Sequence, residues 1–125
     1  MNVVDSSAWL SFLAGDGNAR TFAVPITNLA DLLVPTVTIT EVFKNILRQR
    51  GEESALRVLA HMEQGTVIPL NEALAVDAAN FGVEYKLPLA DSIIYATARR
   101  HQATLWTQDS DFKNLAGVNY LPRRT

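Results

Sequence analysis

A chain of 125 residues, 48% hydrophobic and 19% charged, is expected to fold as a single domain over residues 1–125, with a core that needs no cross-links. It has no cysteine, which excludes a disulfide framework and thiolate metal or redox sites and fits a reducing, cytoplasmic setting. The net charge of −2 argues against a basic nucleic-acid-binding module, and no apolar run approaches the roughly 18 residues of a membrane span. Asp5 interrupts the first apolar run, so no secretory signal follows Met1.

Short β-rich runs alternate with helical patterns, without repeats or low-complexity segments, which predicts an α/β fold with a parallel sheet. Met1 to Asp5 reads as a buried first strand. Ser6-Ser7 offers an N-cap to a short helix, Ala8 to Leu13, stopped near Gly15 and Gly17. Pro25 then opens a short helix carrying Ile26, Leu29 and Ala30. Leu33 to Val37 reads as a second strand, which Pro35 places at a sheet edge or keeps very short. From Thr38 the period changes, and Val42, Phe43, Ile46 and Leu47 form one helix face. Glu52 to Met62 is a helix with Ala55, Leu56, Leu59 and Met62 inward. Thr66 to Leu70 is a third strand, and Asn71 caps a helix reaching Phe81 or Tyr85. Leu89 to Arg100 is the most apolar helix, with Leu89, Ile93, Ile94, Ala96 and Ala98 expected against the sheet. Ala103 to Thr107 is a fourth strand, Val118 to Leu121 a fifth, and Arg123-Arg124 reads as a mobile tail.

Four acids stand where these elements end or begin: Asp5, Glu41, Asp91 and Asp109. Each has a purely structural reading. Asp5 suits a turn that caps the next helix. Glu41 lies three residues after Thr38, the spacing of a capping box. A helix starting at Thr40 would instead put Glu41 in its first turn, beside Lys44, Asn45 and Arg48. Asp91 suits the positive end of its helix, although its neighbours Leu89, Ala90, Ile93 and Ile94 are apolar. Asp109 and Asp111 lie in an Asp- and Ser-rich turn, a weak signal alone. Carboxylates at the rim of a core are costly unless something pairs with them. Four converging would form a site for Mg²⁺ or Mn²⁺, which prefer oxygen ligands. One such ion would bring the formal charge to zero and two to +2. The chemistry this predicts is metal-assisted phosphodiester cleavage.

Four segments together resemble the PIN-domain family, in particular VapC-type toxins of type II toxin–antitoxin systems. Val3-Val4-Asp5-Ser6-Ser7 is similar to that family's opening strand and first acid. Thr38-Ile39-Thr40-Glu41-Val42 resembles its glutamate-bearing helix start. Leu87 to Ala98, with Asp91, is the most specific match, and Leu105 to Phe112 resembles the closing Thr-x-Asp-x-x-Phe segment. The resemblance covers nearly the whole chain. Glu84-Tyr85-Lys86 departs from it, since relatives often carry small residues or glycine there.

The resemblance implies an α/β/α sandwich with a central parallel sheet, divalent-metal-dependent RNA cleavage, an inhibitory antitoxin partner and a homodimer. Carried over, Asp5, Glu41, Asp91 and Asp109 form the acidic site, and Ser7 and Thr107 support it by hydrogen bonding. Asp5, Asp91 and Asp109 are assigned the main ion, with Glu41 orienting or deprotonating water or helping a second ion. Asp111 is an outer ligand or replaces Asp109. Lys44 and Arg48, at i+3 and i+7 from Glu41, either grip RNA phosphates or form a solvated face. Arg99 and Arg100 suit a helix end. His61 and His101 lie late in helical segments, which argues against a histidine-based ribonuclease. Two further readings compete within the family: a PIN-type nuclease of RNA maturation or decay, and a catalytically silent binding module. A receiver-like phosphate-binding domain needs a lysine after a late strand, and none stands between Thr107 and Lys113.

Overall fold

The computed structural model describes residues 1–124 and builds its sheet around the amino-terminal strand. Strands β1 (Asn2–Val4), β2 (Leu32–Pro35), β3 (Thr66–Ile68), β4 (Thr104–Thr107) and β5 (Val118–Tyr120) form one sheet in the order β3-β2-β1-β4-β5. Every pairing is parallel. Successive strand residues point to opposite faces. Val4, Leu32 and Val34 therefore face one layer, and Val3, Leu33 and Leu105 the other. Both faces are covered, which is why β1 and β2 read as unbroken apolar runs.

On the first face pack α1 (Ser6–Ala14), α2 (Ala19–Thr27), α3 (Thr36–Arg50) and α4 (Glu52–Met62), around buried Trp9, Phe22, Ile26, Val42, Ile46 and Met62. On the second pack α5 (Glu72–Tyr85) and α6 (Leu89–Arg100), through Leu74, Ala78, Ile93, Ile94, Tyr95 and Ala98. The result is the expected α/β/α sandwich around a parallel sheet. The chain runs outward from β1 through β2 to β3, then returns to the other side of β1 for β4 and β5. Neighbouring strands β1 and β4 thus lead to connections on opposite faces, leaving a crevice beyond their carboxyl ends.

Several local expectations change. The cap of α1 is Asp5 rather than Ser6-Ser7: its backbone is extended and its side chain accepts from the Ala8 N–H. Pro25 lies in the last turn of α2 rather than opening a helix, and it is buried, as are Phe22 and Ile26 of the same helix. Leu29 falls in a separate 3-10 turn and is exposed. β2 is second from the edge. Pro35 is tolerated because it is the strand's last residue, aligned with Ile68. The β-branched run after it turns helical at once, so α3 starts at Thr36. Thr38 is then wholly buried inside the helix and forms no capping box with Glu41, which sits in the second turn. Leu56 and Leu89 are exposed, not inward. The carboxyl-terminal segment is tied down: Asn18 donates to the Pro122 carbonyl at 2.9 Å, and a Cβ on Gly17 would lie 2.7 Å from the Arg124 carbonyl oxygen.

Candidate active site

The crevice beyond β1 and β4 gathers the acids. Asp5 follows the last residue of β1 and is only 2% exposed. One carboxylate oxygen accepts from the Ser7 hydroxyl at 2.8 Å and the Ala8 N–H at 2.9 Å. The other accepts from the Thr107 hydroxyl at 2.5 Å. Thr107 ends β4, and its hydroxyl also accepts the Asp109 N–H at 2.9 Å, so one buried side chain fixes two acids. Asp109 in turn accepts from the Asp111 N–H at 2.9 Å, which shapes the 3-10 turn Ser110–Phe112. Glu41, half-buried on α3, accepts from the Ser6 hydroxyl at 2.5 Å.

Asp91 enters from the first turn of α6. Among the described residues it accepts no hydrogen bond and joins no ion pair, although it is half-buried. Carboxylate oxygens of Asp91, Asp109 and Asp111 lie within 4.8 Å of one another. Burial first, then the charges of Asp109, Asp5, Glu41 and Asp111, push the Asp91 carboxyl up to about 7. Burial also raises Asp5 to about 6, against the opposing effect of its hydrogen bonds from Thr107, Ala8 and Ser7. All five acids therefore share one electrostatic neighbourhood. The two ion pairs among the described residues, Arg57–Glu53 and Arg100–Asp77, involve none of them. An all-oxygen set of like charges without a protein cation suits a divalent ion.

Asp91, Asp109 and Asp111 are thus brought to ligand spacing. Asp5 is not one of this trio: it is buried with both oxygens already accepting, and Glu41 stands on α3. Lys44 and Arg48 are exposed on α3. A groove of about 430 Å³ between α1 and α3 is lined by Ser7, Asp16, Asn45, Arg50, Gln108 and Arg123, with an apolar wall of leucine and isoleucine, and none of the five acids lines it. Sequence reasoning passed over Ser6 as a partner of Glu41, and over buried Gln108 and Asn18, which bond each other at 3.1 Å. Those pairs are 35 and 90 residues apart, and no local pattern announces them.

Fold and site together define an α/β/α protein with a candidate cation site at the carboxyl ends of a parallel sheet. Residues 3–118 match the PIN domain, and the chain belongs to the PIN-domain family. No curated protein sequence matches it. Among solved structures, it is similar to a toxin–antitoxin complex from Klebsiella pneumoniae, with TM-score 0.81 and 23% identity, over 95% of this chain and 96% of that one. It is also similar to the Mycobacterium tuberculosis toxin VapC20, described as cleaving the sarcin–ricin loop: TM-score 0.78, 20% identity, 98% of this chain and 100% of that one. A third likeness is to VapBC2 from Rickettsia felis bound to a promoter DNA fragment: TM-score 0.73, 12% identity, 97% of each chain.

Proposed function

We propose that this chain is a metal-dependent endoribonuclease acting as the toxin of a toxin–antitoxin pair. The observation that carries the reading is the convergence of Asp91, Asp109 and Asp111 within 4.8 Å, with Asp5 and Glu41 close enough to raise Asp91 further. Family membership and the likeness to the Klebsiella, Mycobacterium and Rickettsia proteins support it, and the first and third of these suggest an antitoxin partner. A homodimer belongs to the same proposal.

Asp91, Asp109 and Asp111 would hold Mg²⁺ or Mn²⁺, with Asp5 adding its charge to theirs. A bound divalent ion supplies an activated water and relief of charge on the phosphate. The remaining work falls to the chain's own residues. With a carboxyl near 7, Asp91 carries a proton part of the time at neutral pH, and losing it prepares the ligand. Thr107 and Ser7 orient Asp5, while Ser6 fixes Glu41 so that its carboxylate can orient or deprotonate the attacking water. Lys44 and Arg48 would grip RNA phosphates. Histidine base catalysis lacks support. His61 packs edge-on against Trp9 and Phe12. His101 caps the far end of α6, about 15 Å along the helix from Asp91.

The test is cleavage of a defined RNA pool by partner-free protein in Mg²⁺ or Mn²⁺, beside EDTA and Asp91→Asn. Metal-dependent cleavage that falls at least about a hundredfold in Asp91→Asn is expected. Cleavage surviving both EDTA and the substitution contradicts the reading.

A further inference from the structure

The two hydroxyls that hold Asp5 are themselves held by groups distant in the chain. The Thr107 backbone carbonyl accepts from the Leu121 N–H at 2.9 Å, just beyond β5. Ser7 is approached twice by Gln108. The Gln108 backbone N–H points to the Ser7 hydroxyl, and its Nε2 to the Ser7 carbonyl, both at 3.4 Å. The Gln108 Oε1 accepts from Asn18 Nδ2 at 3.1 Å, and the same Nδ2 donates to the Pro122 carbonyl at 2.9 Å. Gln108 is 5% and Asn18 1% exposed. Two buried carboxamides therefore bridge the turn before α2, the loop after β4 and the carboxyl-terminal segment. Burying such groups is costly unless they are bonded, and a bonded network holds its members in one arrangement.

We propose that Gln108 and Asn18 are positioning residues for the acidic site, fixing Ser7 and through it the Asp5 carboxylate against the carboxyl-terminal segment. Neither carboxamide hydrogen-bonds to a carboxylate of the cluster, although Gln108 precedes Asp109 in the chain. Gln108 fixes the peptide whose N–H meets the Ser7 hydroxyl, and Asn18 keeps the Gln108 carboxamide in the orientation that reaches Ser7. The inference rests on the nuclease reading above, since it assigns these residues to that site.

The experiment is a double-substitution cycle with Mn²⁺ as the probe. Mn²⁺ affinity is read by electron paramagnetic resonance, RNA cleavage as kcat and KM, and folding by thermal melting of the full chain. Gln108→Met, similar in length but unable to hydrogen-bond, should weaken Mn²⁺ binding about tenfold and lower kcat with KM for RNA unchanged. Combined with Ser7→Ala, it should add little to the loss caused by Ser7→Ala alone, because both act through one hydroxyl. Fully additive losses, or wild-type Mn²⁺ affinity in Gln108→Met, overturn the proposal. If Gln108→Met gives no cooperative melt, Asn18→Ser enters the same cycle with the same criteria. Failure of the wild-type protein to bind Mn²⁺ at all would instead sink the nuclease reading, so the two failures are distinguishable.

Discussion

Two buried threonines show how one hydroxyl takes opposite signs in different settings. Thr107 donates to Asp5 and accepts from the Asp109 N–H, so its removal leaves a buried carboxylate oxygen and a backbone donor short of a partner. Thr107→Val should cost about 1–3 kcal/mol of stability, read from denaturant melts, and weaken metal binding as well. Thr38 is equally buried, yet its hydroxyl has no partner among the described residues. Thr38→Val keeps the shape and removes an unpaired polar atom, so it should leave stability unchanged or raise it by about 1 kcal/mol. If both substitutions destabilised alike, the hydrogen-bond assignment around Asp5 would be wrong. The sequence around Asp5 suits both a helix cap and a site acid. The structure shows the capping bond, and the same carboxylate presses on Asp91 electrostatically.

The elements were legible where periodicity was strong and both sheet faces were buried: β1, β4, α5 and α6 begin and end within a residue or two of expectation. The errors fall at proline and β-branched residues, where local preference and tertiary packing compete. Thr36-Val37 is expected to end a strand, but the backbone turns helical at Thr36 and the buried face of α3 keeps it so. Pro25 favours a helix start, yet it lies buried in a last turn. Backbone conformation at two junctions gives a further test. Gly51, joining α3 to α4, has φ +90° and ψ 177°, a region nearly closed to other residues. No atom lies within 4 Å of the Cβ position, so Gly51→Ala isolates backbone strain and should cost about 1–3 kcal/mol. Lys86 ends α5 in the left-handed region at φ 56°, within the segment that departs from the family pattern. Lys86→Gly should therefore stabilise by up to about 1 kcal/mol, measured in the same melts.

At the scale of the whole molecule, folding itself works against the charge of the site. Asp91 and Asp5 have folded-state carboxyls raised to about 7 and about 6, above the ordinary 3.8. The folded protein therefore holds protons that the unfolded chain has released. That stabilisation is full below about pH 4 and is lost as pH rises through 6 and 7. Without metal, these two groups should lower the melting temperature by a few degrees between pH 5.5 and 8. Mg²⁺ should flatten the slope, and Asp91→Asn should remove part of it without metal. A melting temperature that climbs steadily over this interval and ignores Mg²⁺ would count against the shared electrostatic site. The order of the four acids was readable because each sits at an element boundary. Their grouping was legible only through the family resemblance, because it depends on β4 returning beside β1, and the trio at ligand spacing includes Asp111 rather than Asp5.

Anomalous diffraction from crystals grown in Mn²⁺ would show whether Asp91, Asp109 and Asp111 share a divalent cation. The expected result is an anomalous peak within bonding distance of at least two of these three carboxylates, about 2.1–2.3 Å from their oxygens, and its loss in Asp91→Asn. A wild-type crystal with no peak at these residues, or a peak undiminished in Asp91→Asn, would contradict it.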